Sequence, residues 1–330
     1  MKDVFKWGIL GPGTIANSFV QGLLVLENAE VAAVGAYPAE LESGKLFAKK
    51  YGIPTCHESY EALIDDKNID IIYISALNPA HKKYSIMALE SGKNVLCEKP
   101  LAINAKDARD IIACAKRNNR FLMEGMWTKF LPVTVNVREW LSIGIIGEVR
   151  QFKSDFCFRC DWNPGNRLLS LELGGGALMD VGIYNIAYAN MVYNSLPKKI
   201  THDAYIGPTG VDEQSSAILQ YGSGELAVIL QAVRTQSPWD AWIIGTEGYI
   251  YLPDFWHGKS ATVHLKGKDP ITYDFPFEAS GYNCEAEEVM RCIKEGRLQS
   301  DIHTHESTVS TLNIMDGMRL DWGMRFPFED

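Results

Sequence analysis

The chain has 330 residues, 46% of them hydrophobic and 22% charged, with a formal net charge of −9. That length suits two cores better than one, since single cores stop growing at roughly 250 to 300 residues, and the composition argues against disorder. The negative balance, with no basic stripe interleaved with aromatics, excludes a nucleic-acid partner, and no apolar run approaches the roughly 18 to 20 residues that cross a bilayer as a helix.

Met1-Lys2-Asp3-Val4-Phe5 leads directly into a strand pattern instead of a signal peptide, so the chain is expected to stay in the cytoplasm. Seven scattered cysteines, an odd number, fit reduced thiols. Cys157 and Cys160 stand three apart in a strand-like stretch, where they face opposite sides, and carry no redox or zinc role.

The first half alternates strand and helix. Phe5 to Leu10 reads as a strand that breaks at Gly11-Pro12-Gly13-Thr14-Ile15-Ala16, and Asn17 to Leu26 continues with helical spacing. A strand at Glu30 to Ala36, a helix at Leu41 to Tyr51 and a strand at Ile69 to Ser75 follow. The run Ile71-Ile72-Tyr73-Ile74 is apolar without a break, as suits a parallel sheet buried on both faces. A helix at Ala80 to Ser91, a strand at Asn94 to Cys97, a helix at Asp107 to Asn119 and a strand at Phe121 to Glu124 complete the series. The alternation predicts an α/β Rossmann domain, a doubly wound parallel sheet, over residues 1–127.

After Lys129 the pattern changes. Glu148 to Phe158, Ile200 to Ile206, Glu213 to Tyr221, Glu225 to Val233, Ala241 to Gly245, Tyr249 to Leu252 and Ala261 to Leu265 read as strands, some joined by short turns such as Tyr221-Gly222-Ser223-Gly224. Helices are expected at Val133 to Ile143, Gly176 to Val192, Asn283 to Glu295 and His305 to Trp322, covering one face. Residues 128–330 therefore form an α+β domain with a large, mostly antiparallel open sheet. A bare face of that size exposes too much apolar surface for a monomer, and a homodimer through the sheet is the expectation.

The glycine turn carries the first chemical claim. In a dinucleotide fold Gly11 permits the tight turn, Gly13 admits the pyrophosphate to the backbone, and small Ala16 lets helix and strand approach, while the helix start at Thr14 and Ile15 attracts the anion. The second strand ends Gly35-Ala36-Tyr37-Pro38-Ala39-Glu40, without the acidic residue that holds a ribose 2′-hydroxyl or the Arg that holds a 2′-phosphate. Tyr37 occupies that place, Glu40 and Lys45 are near in sequence, and the balance between NADP and NAD tips slightly to NADP.

With Glu98-Lys99-Pro100 about 85 positions after the turn, at a strand end, the chain resembles the Gfo/Idh/MocA family of oxidoreductases along nearly its whole length. Within the family it is most similar to the dimeric dihydrodiol dehydrogenases and NADP-dependent D-xylose dehydrogenases. Four segments carry that narrower likeness: Glu124-Gly125-Met126-Trp127-Thr128-Lys129-Phe130-Leu131-Pro132, with Lys129 where Arg is usual; Asn163-Pro164-Gly165-Asn166-Arg167-Leu168 leading to Gly174 through Tyr184; Gly245-Thr246-Glu247-Gly248-Tyr249-Ile250 leading to Pro253-Asp254-Phe255-Trp256; and Met315-Asp316-Gly317-Met318-Arg319-Leu320-Asp321.

The resemblance implies NAD(P)-dependent hydride transfer, with Lys99, Tyr184 and Asp180 as catalytic residues. Many family members carry His where Tyr184 stands. Alcohol oxidation needs a base, and tyrosine, with an ordinary pKa of about 10, serves when an ammonium favours its phenolate. Lys99 is the expected cation, and Asp180, four residues before Tyr184, shares its helical face. The resemblance also places Asn78, His81 and Glu98 with the cofactor, and Trp127, Arg167 and Trp256 with Tyr184 around the substrate. It implies a sugar or polyol substrate, such as a xylose-like pyranose or a vicinal diol, with inositol, an amino sugar or a non-catalytic dinucleotide sensor as alternatives. His303 and His305, near Asp301 and Glu306, lack the spacing of a closed metal site, and no metal is expected.

Overall fold

Trp7, Ile9 and Leu10 of β1 (Phe5–Leu10) have no exposed surface, nor does any residue of the apolar run in β4 (Ile71–Ile74). Both strands lie side by side at the centre of a parallel sheet, where each face is covered and alternation is lost. The computed structural model describes residues 4–329. Between β1 and β4 come α1 (Thr14–Leu23), β2 (Ala29–Gly35), α2 (Leu41–Tyr51), β3 (Thr55–His57) and α3 (Tyr60–Asp65). After β4 follow α4 (His81–Glu90), β5 (Asn94–Glu98), α5 (Ala105–Asn118) and β6 (Leu122–Gly125).

The six strands run in the order β3-β2-β1-β4-β5-β6, all parallel, with the strand order reversing direction beside β1. At such a switch point a crevice opens outside the carboxyl ends of the strands. Local chemistry sets the helix ends: the Asn104 side chain accepts the Asp107 amide at 2.8 Å to start α5, and Ser59 accepts that of Ala62 at 3.0 Å to start α3. Strand β3 and helix α3 are additions to the expected series; three residues of strand carry no readable period.

The chain divides into two compact units, the first made of the residues up to Trp127 with Glu278–Val309, the second of Thr128–Phe277 with the residues from Ser310 onward. The sequence places everything after residue 127 in one domain, and here the structure differs. Helix α8 (Tyr282–Lys294) does not cover the antiparallel sheet but packs on α1, so closely that a Cβ on Gly22 would lie 2.7 Å from the Asn283 backbone nitrogen. Periodicity reveals that a helix has an apolar face but not which partner will cover it.

The second unit begins with α6 (Pro132–Ser142) and β7 (Val149–Cys157), then a π turn (Leu178–Gly182) running into α7 (Ile183–Tyr193). Strands β8 (Lys199–Ile206), β9 (Asp212–Gln220), β10 (Leu226–Ala232), β11 (Ala241–Gly245), β12 (Gly248–Leu252), β13 (Ser260–Leu265) and β14 (Ile271–Asp274) follow, and α9 (His305–Asp321) comes after α8. The sheet order is β14-β13-β12-β11-β7-β10-β9-β8, antiparallel except where β10 meets β7.

From Gln214 on, β9 alternates exposed and buried positions, placing Ser215, Ala217 and Leu219 under the helices and Ile218 on the opposite face. Helix α7 covers the inner face through Tyr188, whose ring lies 5.8 Å from Phe152 and 5.4 Å from Phe255. On the outer face Ile218, Leu226, Val228 and Leu230 are exposed. Among the described residues no helix is long and apolar enough to cross a membrane.

Candidate active site

In the first unit the glycine turn follows β1. Gly11 has φ +99°, where side chains are strained, and a Cβ on it would meet the Ala76 nitrogen at 3.2 Å and the Ser75 carbonyl oxygen at 3.3 Å. The Ser75 hydroxyl donates to the Gly11 carbonyl at 2.7 Å, tying the ends of β1 and β4 together. A Cβ on Gly13 would meet nothing within 4 Å, so no neighbour in the protein requires glycine there. Helix α1 starts with no side-chain cap and no acidic residue in its first turn. Its leading amides therefore carry partial positive charge toward the turn, with Thr14 exposed and Ala16 buried behind it.

Tyr37, at the end of β2, is partly exposed, and its ring lies 4.2 Å from Tyr60. Its hydroxyl bonds that of Tyr84, which also touches Glu61 at 3.4 Å and Lys83 at 3.2 Å. Burial first, and then Tyr84, pushes the Tyr37 hydroxyl up to about 12, so it stays protonated. Lys45 pairs with Glu42 at 2.9 Å on an exposed helix face, and Glu40 is also exposed.

His81 is fully buried. Its Nδ1 lies 2.8 Å from the Pro100 carbonyl oxygen and its Nε2 2.9 Å from that of Ala76, so the ring fastens the segments after β4 and β5 to one another. Burial holds its pKa below the ordinary value, against the pull of the two carbonyls. Both nitrogens of this ring, which the sequence expects near the cofactor, are engaged by backbone carbonyls. Asn78 lies one turn earlier, partly exposed.

Glu98 ends β5, followed by partly exposed Lys99 and a cis peptide to Pro100. The Tyr73 hydroxyl donates to Glu98 Oε1 at 2.5 Å. Burial raises the Glu98 carboxyl above its usual range, with Tyr73 and Lys99 pulling the other way. Glu285, on α8, is wholly buried, neither carboxyl oxygen has a hydrogen-bond partner, and burial followed by the charge of Glu98 pushes it well upward.

Glu124 is the opposite case. It accepts the Leu101 amide at 2.8 Å, His303 Nε2 lies 2.7 Å away, and Thr308 donates at 3.0 Å. Burial alone would raise its pKa; His303, the Leu101 amide and Thr308 outweigh it and hold the carboxyl below its usual range. His305 Nε2 lies 2.9 Å from the Leu122 carbonyl oxygen. The two histidines that draw attention in the sequence are thus bound into the strand end, and among the described residues no group of three or more His, Cys, Asp or Glu could hold a metal.

Trp127 also belongs to the first unit. It is buried and stacks on Tyr282 at 4.3 Å.

The second unit brings Arg167, Asp180, Tyr184 and Trp256 into one region. Asp180 lies within the π turn and accepts from Arg167 at 2.9 Å, with Arg167 half-exposed and Asp180 largely buried. Tyr184 follows in the first turn of α7, its ring 5.5 Å from Phe156 and 6.2 Å from Trp256. Trp256 stacks on Phe156 at 4.9 Å, and the Thr128 hydroxyl donates to its carbonyl at 2.6 Å. An acid, a guanidinium and a phenol framed by indole and phenyl rings match what a hydroxyl-rich ring requires of a binding wall. The buried polar contacts of Tyr73, Glu124 and Glu285 stay hidden in the sequence because their partners are distant along the chain.

A switch-point crevice with an uncapped helix start is where a doubly wound sheet binds a dinucleotide. Residues 5–126 match the oxidoreductase family model with an NAD-binding Rossmann fold, and residues 134–251 match the Gfo/Idh/MocA C-terminal domain. The chain belongs to the Gfo/Idh/MocA oxidoreductase family. It is 37% identical over 332 residues to the trans-1,2-dihydrobenzene-1,2-diol dehydrogenase of Xenopus tropicalis, covering 98% of this chain and 99% of that one. In fold it matches the aldose-aldose oxidoreductase of Caulobacter crescentus, solved with glycerol, with a TM-score of 0.87 at 24% identity over 98% of both chains. It also matches a levoglucosan dehydrogenase solved with NADH and levoglucosan, with a TM-score of 0.85 at 17% identity over 98% of this chain and 99% of that one.

Glu98 and Glu285 generate a prediction about pH. Their folded pKa values lie above the unfolded carboxyl value, so the stability they contribute is complete below that value and is lost as pH rises through the folded one. Glu285→Gln removes one of these protons. Urea unfolding should show the variant gaining on the parent as pH rises above the ordinary carboxyl range. Parallel curves there would rule out a protonated Glu285.

Proposed function

We propose that this chain, a dehydrogenase acting on CH–OH groups, moves hydride between a nicotinamide dinucleotide and a hydroxyl-bearing carbon of a pyranose or vicinal diol. The observation that carries the reading is Tyr184 set among Phe156 and Trp256, with Asp180 and Arg167 beside it on the same stretch of chain.

The residues of the first unit fit the cofactor. Open space before Gly13 and uncapped amides at Thr14 and Ile15 suit a pyrophosphate, and nothing else in the protein calls for that glycine. When bound, the nicotinamide ring supplies the hydride acceptor. Asn78 and the backbone of Glu98 and Lys99 lie at the carboxyl ends of β4 and β5, where the ribose and nicotinamide of such a ligand belong. A protonated tyrosine stands at Tyr37 in place of the carboxylate that would oppose a 2′-phosphate, and Lys83, paired with Glu61 at 3.4 Å, lies beside the Tyr84 hydroxyl. We therefore favour NADP over NAD.

Tyr184 acts as the acid/base, taking the hydroxyl proton as hydride leaves the same carbon. Lys99 tunes it, since an ammonium favours the phenolate. Asp180 orients the substrate and fixes Arg167, while Trp256 offers a flat face to the sugar ring. The seven cysteines, none in a disulfide, suit the reducing cytoplasm. Exposed Ile218, Leu226, Val228 and Leu230 on the outer sheet face support a homodimer formed through that sheet.

Four experiments test this. Mixing the protein with NADP or NAD and a panel of aldoses and dihydrodiols should produce reduced nicotinamide absorbance, faster with NADP; silence across the panel would refute the substrate class. Tyr184→Phe should lower kcat by about 10² to 10⁴-fold with cofactor affinity unchanged. Lys99→Ala should lower activity and move the alkaline ionisation in the pH profile upward; an unmoved ionisation would remove the lysine from that role. Light scattering should give twice the chain mass, with Val228→Asp reducing it to one, and a parent already monomeric would refute the dimer.

A further inference from the structure

The π turn and α7 rest on a buried polar chain that the hydride chemistry does not use. Asp212, fully buried at the start of β9, accepts the Leu178 amide at 2.8 Å and the Ser215 hydroxyl at 3.1 Å through the same oxygen. The Gln231 amide donates to Ser215 Oγ at 2.9 Å, and the Asn185 amide donates to Gln231 Oε1 at 3.2 Å and to the Leu230 carbonyl at 3.1 Å. The Ser154 hydroxyl completes the chain by donating to Asn185 Oδ1 at 2.8 Å.

Two points of one helical stretch are thereby fixed to three strands. Leu178, the first residue of the π turn, is held from β9. Asn185, next to Tyr184, is held from β10 and β7. Between them Gly182 lies so close to Gln231 that a Cβ would sit 3.1 Å from its Cγ. Asp180 and Tyr184 fall inside this bracketed stretch. A further glycine serves it: Gly176 has φ +117°, and a Cβ there would lie 2.3 Å from Asp212 Oδ1.

The arrangement is expensive in a buried layer. Asp212 Oδ1 has no partner, and burial pushes the carboxyl up to about 7 against the bonds it accepts. Apolar residues of the same size would fill the layer at lower cost, but they fix no rotation about a helix axis, whereas directional bonds do. A π turn adds one residue to a helical turn, and such bulges concentrate at functional sites where a side chain must be re-aimed.

We infer that Asp212 is a positioning residue that, through the Leu178 amide and the Ser215–Gln231–Asn185 chain, sets the rotation of the helix presenting Asp180 and Tyr184. The inference rests on Tyr184 acting as the acid/base.

The test follows the Tyr184 ring by ¹⁹F resonance in fluorotyrosine-labelled protein, assigned by its absence in Tyr184→Phe, alongside steady-state kinetics. Asp212→Ala should shift or broaden that resonance and lower kcat by about tenfold or more, with the dissociation constant for NADPH unchanged. Asp212→Asn keeps an oxygen for the Leu178 amide and should restore both signals to near the parent. Gln231→Met, of similar volume and without the directional bonds, should move the resonance and kcat while thermal stability holds or rises, and it serves if Asp212→Ala does not fold. An unmoved resonance in the folded variants, or equal losses in the Asn and Ala variants, would overturn the inference. A moved resonance with turnover unaffected, together with an active Tyr184→Phe, would leave the positioning intact and refute the acid/base assignment.

Discussion

Glu124 has its carboxylate inside the first unit, where an unpaired charge is costly enough to disfavour the fold. It is tolerated because Leu101, His303 and Thr308 all point at it. Those donors come from three places: the segment after Pro100, the turn before α9, and α9 itself. One carboxylate thus fastens the backbone just past Lys99 to a stretch about 200 residues later, and binds residues 278–309 into the first unit. His81 does similar work nearby, holding the carbonyls of Ala76 and Pro100. The carboxyl ends of β4, β5 and β6 are held in place by buried polar contacts that owe nothing to the sheet's own ladder.

Burial produces two opposite electrostatic results within that unit. Glu124 has donors enough to stay ionised. Glu285 has no hydrogen-bond partner, and Glu98 has a phenol and an amide, so burial dominates for both and favours their acid forms.

The second unit meets a different constraint. Its inner face must be dry enough for Tyr188, Phe152 and Phe255 to pack, yet it must hold a helical stretch at one rotation so that Asp180 and Tyr184 emerge toward Arg167 and Trp256. Packing supplies the energy, and the bonds from Asp212 to Ser154 supply the direction. Glycines at Gly176 and Gly182 give those polar side chains room.

Much of this was legible in the sequence because it is local. Unbroken apolar runs in β1 and β4 mark a sheet buried on both faces, and the Gly11 to Ala16 turn after β1 marks its crevice. Alternation in β9 and β10 marks a one-sided sheet, and four-residue spacing puts Asp180 and Tyr184 on one helical stretch. Short β3 and exposed β14 lack any period and stay hidden. What the tertiary structure alone decided are pairings between residues far apart in the chain: α8 on α1, His303 on Glu124, Trp127 against Tyr282, and His81 between two carbonyls. A residue's type and its near neighbours fix which interactions it needs, but which distant group meets that need depends on how the whole chain closes, and single-sequence periodicity contains no term for that.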